Sequence, residues 1–227
     1  MAIGLYKEKR IAEALEQYRA VLIRKPDNIE TLFNLAIILE ETGEYAEAAG
    51  LYFKLLLVQK SISGLDWRIS NTLLNLAQIG KDGFKLAKDF VRGWIKNFPD
   101  NPVVKHTFAT LMGEKETNIK SYIKALFNDF AESYDSKMTE LKAIAIEETI
   151  SLIPQKKYTD ILDLGCGTGA FASHFSDEYK TLTGVDLSEE MINQASKTSK
   201  YTSLVTNDVL AFLKKNNHLC ADFEHYL

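Results

Sequence analysis

The stretch Asp163-Leu164-Gly165-Cys166-Gly167-Thr168-Gly169 sets three glycines at alternate positions directly behind a short, mostly apolar run. Glycine lets backbone approach a ligand with no Cβ in the way, and a helix starting behind such a turn offers free N–H groups to an acceptor. Asp186, 17 residues beyond Gly169, closes a second apolar run. An acid about 20 positions beyond a glycine turn accepts from both hydroxyls of a ribose. Asn207-Asp208-Val209 then puts a third carboxylate behind a third run, Ser203 to Thr206. Glycines and acids at successive strand ends describe a nucleotide-type cofactor site along the carboxyl edge of a parallel sheet. With Ala170 the turn also satisfies Gly-x-Gly-x-x-Ala, so a nicotinamide dinucleotide stays open on these residues alone.

The elements that must hold this turn alternate. Tyr158 to Leu164 reads as a buried parallel strand, Ala170 to Tyr179 as a helix, Leu182 to Val185 as a strand, and Val209 to Lys215 as a helix after the third strand. Upstream, residues 119–138 place Tyr122, Leu126, Phe130 and Tyr134 on one helical face. A further helix over Lys142 to Leu152 ends before Pro154. Cys166 lacks a paired histidine in the motif and reads as a small turn residue, not a nucleophile. Cys166 and Cys220 form no disulfide framework, and no histidine or cysteine pair has metal-ligand spacing, so no structural metal is expected. His174, His218 and His225 receive no role.

Taken together, ILDLGCGTG, GVDLSEEMI and NDV resemble the class I S-adenosylmethionine-dependent methyltransferases. In that family the glycine turn holds the methionyl part of the cofactor, the acid after the second strand holds the ribose, and the acid after the third contacts the adenine. The resemblance implies S-adenosylmethionine as cofactor and, as its contacts, Asp163, Gly165, Gly167 and Gly169, then Asp186 with Leu187 and Met191, then Asp208 and Val209. FAESYD resembles the family's lead-in, where an aromatic covers the cofactor, which adds Tyr134. The chemistry implied is in-line methyl transfer, carried by positioning rather than by a diagnostic triad, so no catalytic residue is assigned. The 68 residues from Asp160 to Leu227 hold three strand-helix units where the family has seven strands, and NNHLCADFEHYL lacks the apolar run of a fourth. The expectation is a C-terminally shortened methyltransferase domain.

The first half is a repeat. Ala14, Tyr18 and Val21 precede Pro26, and 34 residues on Ala48, Tyr52 and Leu55 precede Lys60. Ala87, Val91 and Trp94 before Pro99 keep the spacing after a five-residue insertion around Ser61 to Asp66. Leu32, Leu35, Ala36 and Leu39 recur at helical spacing, and Thr42-Gly43 supplies a turn, which makes a helical hairpin per repeat. Phe108-Ala109 begins a fourth, unfinished unit. Length and pattern resemble the tetratricopeptide repeat (TPR) family, which implies a groove for a protein or peptide lined by the leading helices, with Glu30, Phe33, Ile37 and Glu40 as candidates. The expected fold is therefore a TPR-like α-helical solenoid over 1–113, a linker over 114–118, and an incomplete α/β Rossmann-like methyltransferase domain over 119–227.

The expected function is methyl transfer to an acceptor that the residues do not identify; the other reading is a TPR scaffold beside an impaired methyltransferase domain. Composition narrows the rest. Among 227 residues, 27 basic groups face 31 acidic ones, and a net charge of −4 disfavours nucleic-acid binding by bulk charge. Residues 1–120 hold 17 basic and 15 acidic groups, residues 121–227 hold 10 and 16, so the halves differ in charge as well as in pattern. The apolar runs fall far short of the roughly 20 residues that span a bilayer, and MAIGLYKEKR has no secretory core. No membrane partner and a cytoplasmic location are expected.

Overall fold

The computed structural model describes residues 4, 6, 8, 10–59, 62–115, 119–153, 158–175 and 179–216. The chain divides into two compact units, Met1–Tyr122 and Ile123–Leu227. Of the expected linker, residues 116–118 lie outside the described residues, as do Pro154, Cys220, His218, His225 and the stretch beyond Asn216 in which no fourth strand is expected.

The first unit is a row of helices: α1 (Ile11–Arg24), α2 (Ile29–Glu41), α3 (Tyr45–Val58), α4 (Leu65–Gln78), α5 (Lys81–Asn97) and α6 (Pro102–Met112). Two Pro-Asp-Asn turns set helix starts. Asn28 caps α2 by accepting from the Thr31 N–H, and Asn101 caps α6 by accepting from the Val103 and Val104 N–H groups, with Pro102 in the first turn where a missing donor costs nothing. The helix joint at Gly43, φ +85°, takes the left-handed conformation that glycine adopts without strain. The repeated alanines Ala14, Ala48 and Ala87 are all 0% exposed, and Tyr52, Leu55, Val91 and Trp94 are equally enclosed. Val21 departs from the pattern at 38% exposure: α1 packs chiefly on α2 and reaches α3 through the Arg19–Glu47 ion pair, whereas α3 packs on both α2 and α4.

The five-residue insertion is not confined to Ser61 to Asp66. Six positions separate α3 from α4 against four between α1 and α2, and α5 begins six residues ahead of Ala87 where α3 begins three ahead of Ala48. The lengthened start of α5 crosses close to α4: a Cβ on Gly83 would overlap the Leu76 carbonyl oxygen, whereas Gly50 and Gly93 face open space. Gly83→Ala is therefore expected to destabilise the chain, while Gly50→Ala and Gly93→Ala stabilise it by about 0.5–1 kcal/mol each. Chemical denaturation of the three variants checks the opposite signs, and a stabilising Gly83→Ala would refute the close crossing.

The division between the units falls within α7 (Ile119–Lys137). Then come α8 (Thr139–Leu152), β1 (Asp160–Leu164), a four-residue 3-10 turn (Phe171–His174), β2 (Thr181–Asp186), α9 (Glu189–Ser196), β3 (Ser203–Thr206) and α10 (Val209–Lys215). The strands form a parallel sheet in the order β1-β2-β3, with Asp163 beside Gly184 and Asp186 beside Thr206. Leu182 and Val185 of the middle strand are 0% exposed. Among the described residues no helix is long and apolar enough to cross a membrane.

One expectation needs correction. The helix expected over Ala170 to Tyr179 is only the turn Phe171–His174, and residues 176–178 lie outside the described residues. The Ser173 hydroxyl donates to the Ala170 carbonyl at 2.7 Å, which the His174 ring also approaches, and such local side-chain bonds compete with helical ones. The anion-binding helix start inferred from the sequence is correspondingly short. On α7, Asp135 bonds to Thr168 of the glycine turn and Asn128 to Ser188 of the turn after β2.

Candidate functional site

The glycine turn hangs from the end of β2. The Gly165 and Cys166 N–H groups both donate to the Val185 carbonyl, at 2.7 and 3.1 Å, and the Gly169 N–H closes the turn on the Cys166 carbonyl. All three glycines have positive φ, +78°, +53° and +82°, which favours glycine. Their surroundings differ. A Cβ on Gly165 or Gly167 would meet nothing within 4 Å among the described residues, whereas one on Gly169 would press on Tyr201, Ala195 and Thr198. Gly165 and Gly167 thus border open space, as a cradle for a ligand requires, while Gly169 serves close packing.

Asp186 ends β2 and ties two turns together. Its Oδ2 accepts from the Gly167 N–H at 3.0 Å and its Oδ1 from the Ser188 N–H at 2.8 Å. The backbone beyond is fixed as well: the Asn207 N–H donates to the Asp186 carbonyl. Ser188, 0% exposed, caps α9 by accepting from the Met191 N–H, and Met191 itself is 2% exposed. Leu187 is half-buried beside them. Asp208 caps α10, its Oδ1 accepting from the Ala211 N–H at 2.9 Å, and Val209 is the first residue of that helix. Tyr134 meets Phe127 edge to face at 6.3 Å on α7.

Asp163 has a partner that its own stretch of sequence does not announce. The Tyr201 hydroxyl donates to Asp163 Oδ2 at 2.7 Å across 38 residues. The Tyr201 ring fills the hollow left by Gly169 and Gly184. Burial raises the Asp163 carboxyl above its ordinary range, the Tyr201 bond opposes that, and the Asp186 charge adds to it. Burial first, and then the Asp163 carboxylate, push the Tyr201 hydroxyl upward.

Cys166 is 7% exposed. Burial, together with the Asp163 and Asp186 carboxylates, pushes its thiol from 9.0 up to about 12. The thiolate population at pH 8 is then about a thousandfold below that of an ordinary cysteine. Iodoacetamide labelling of Cys166, followed by peptide mass mapping, is expected to run far slower than labelling of free glutathione. A comparable rate would overturn this assignment.

Three more residues complete the surroundings. The Thr168 hydroxyl donates to Asp135 Oδ1 at 2.6 Å, and the Ser188 hydroxyl donates to Asn128 Oδ1 at 2.7 Å. The seven-residue spacing of Asn128 and Asp135 places them on one face of a helix, a signal present in the sequence but masked by the stronger aromatic pattern beside it. Tyr201 has no such local signal.

On the helical array, the candidate groove residues fare unequally. Glu40 accepts from the Tyr52 hydroxyl at 2.8 Å, from Arg68 at 3.2 Å and from Asn71 at 3.3 Å. Phe33 meets Tyr52 edge to face, with the Arg68 guanidinium over its ring. These two bind the array together. Glu30 is exposed and Ile37 half-buried.

Comparison with known proteins gives two family matches, a tetratricopeptide repeat over residues 5–61 and a methyltransferase domain over residues 161–221. Among curated proteins, the malonyl-[acyl-carrier protein] O-methyltransferase of Pectobacterium atrosepticum is 30% identical over 90 residues, covering 40% of this chain and 35% of that protein. Its counterpart from Pseudescherichia vulneris is 28% identical over 92 residues, covering 40% and 36%. The chain therefore spans little more than a third of the length of these relatives. Among solved structures, MamA aligns at 17% identity over 64% of this chain and 89% of its own, with a TM-score of 0.40.

Proposed function

We propose that this chain, in which a tetratricopeptide-repeat region is joined to a methyltransferase domain, binds S-adenosylmethionine at the carboxyl edge of its sheet and transfers the methyl group to an acceptor recruited by the repeats. The observation that carries the reading is Asp186. Each of its carboxylate oxygens accepts one backbone N–H, from Gly167 and from Ser188. A carboxylate has about four acceptor sites, so both oxygens retain capacity for a ribose diol. The uncrowded backbone at Gly165 and Gly167 supports the same reading, because a cofactor could approach it without meeting a side chain.

S-adenosylmethionine, when bound, supplies a sulfonium-activated methyl group. The chain's own residues bind and orient. Asp186 would hold the ribose, Gly165 and Gly167 would admit the methionyl part, and Asp163, steadied by Tyr201, would present a carboxylate beneath the turn. Asp208, Val209, Leu187 and Met191 would border the base, with Tyr134 as a cover. Holding donor and acceptor in line accounts for rate without a proton-transfer triad. For the array, the family match supports recruitment of a protein or peptide, with Glu30 and Ile37 open to contact and Glu40 already engaged.

Calorimetric titration of the full chain with S-adenosylmethionine tests the reading, with NADH as competitor and Asp186→Asn as control. Saturable binding, indifferent to NADH and weakened about 10- to 100-fold by the loss of a charge-assisted acceptor, is expected. A folded chain that takes up no S-adenosylmethionine would refute the reading and leave the repeat array as the working part.

A further inference from the structure

The polar contacts of α7 join with those of Asp186 into a closed circuit. From Asp135 the circuit passes to the Thr168 hydroxyl in the glycine turn, and from the neighbouring Gly167 N–H to Asp186 Oδ2. From Asp186 Oδ1 it continues to the Ser188 N–H, and from the Ser188 hydroxyl to Asn128, two helical turns before Asp135. Ala131, between the two on α7, is 2% exposed, so this face of the helix is covered. Thr168 and Ser188 are 5% and 0% exposed. A hydroxyl that deep in the protein keeps its partner, because an unmade hydrogen bond there is costly.

We propose that Asn128 and Asp135 are positioning residues: together they hold the glycine turn and the β2–α9 turn at the spacing a nucleoside-bearing cofactor needs, so that α7 sets cofactor affinity. The proposal rests on the reading of a cofactor site between these turns. Both residues act through Thr168 and Ser188, with Asp186 as the link between the turns. Because Asp135 supplies an acceptor oxygen rather than a catalytic charge, an amide oxygen in its place preserves the function.

The test compares Asp135→Ala, Asp135→Asn, Thr168→Val and the Asp135→Ala/Thr168→Val pair in the full chain. S-adenosylmethionine titration and hydrogen exchange of the Gly167 and Ser188 amides are the readouts, with thermal unfolding recorded separately. Asp135→Ala and Thr168→Val are each expected to weaken binding about tenfold, the pair no further, and Asp135→Asn little, since residues acting through one bond are non-additive. Exchange at Gly167 should rise in Asp135→Ala, while the β1–β2 ladder amides keep their protection. Asn128→Ala should raise exchange at Ser188. Unchanged exchange at both amides, or additive losses in the pair, overturns the proposal. If the parent chain itself takes up no S-adenosylmethionine, the cofactor reading fails and the exchange arm alone decides whether α7 holds the two turns.

Discussion

Replacing Trp94 by alanine is expected to lower the stability of the helical array by about 3–5 kcal/mol. The indole is 1% exposed and sits in the third copy of the repeat motif, where it meets Phe53 edge to face at 5.9 Å; Phe53 in turn stacks on Phe90 at 5.2 Å. Three rings on two trailing helices thus form one block, and its removal leaves a cavity that stiff helices cannot close. The indole N–H has no hydrogen-bond partner among the described residues. What Trp94 contributes is bulk, so Trp94→Phe, which keeps a ring and removes an unpaired donor, should cost clearly less than the alanine. Chemical denaturation of both variants checks the ordering. Equal losses would mean that the N–H, not the ring, is what the fold uses.

Gly184→Ala should be nearly as damaging, at about 2–4 kcal/mol, for the opposite reason. A Cβ there would stand 2.7 Å from the Tyr201 ring and 2.8 Å from Leu204. The ring cannot yield without giving up its bond to Asp163, which leaves a half-buried carboxylate with one donor fewer. Tyr201→Phe isolates that second loss and adds a pH signature. The Asp163 carboxyl titrates above its ordinary value of 3.8 in the folded chain, so the folded state holds its proton more tightly than the unfolded state. Stability through this group is therefore highest when it is protonated and falls as pH rises from below 3.8 through the raised folded value. Removing the Tyr201 donor raises the carboxyl further and steepens the fall. Tyr201→Phe should lie closest to the parent at low pH, where the carboxyl is protonated, and about 1–3 kcal/mol below it at pH 7. A deficit that is constant across this range would show that the ring's packing, not the hydroxyl bond, is at stake.

The contrast between these two residues shows where local information ends. Trp94 was legible because it recurs in phase with Val21 and Leu55, and a repeat of this spacing records the same packing solved several times along one chain. The glycine turn was legible for a related reason. Positive φ at Gly165, Gly167 and Gly169 is a demand on the backbone itself, and only glycine meets it cheaply. Asp186 belongs to the same class, because the end of a strand can be read from its apolar run.

By itself, then, the sequence determined the repeat, the order of strands and helices, the conformation of the turn, and the acids that stand at the strand ends. Each of these is a property of a short window or of a period. Tertiary structure alone decided that Tyr201 reaches Asp163, that Gly169 and Gly184 are small to make room for its ring, and that α7 turns Asn128 and Asp135 toward the two loops. It also reduced the expected helix behind the glycines to Phe171–His174. The hydrogen bonds among these outcomes join residues 33 to 60 positions apart. Such contacts leave no period in the chain, since a residue's partner across the sheet is selected by the register and packing of the elements between them.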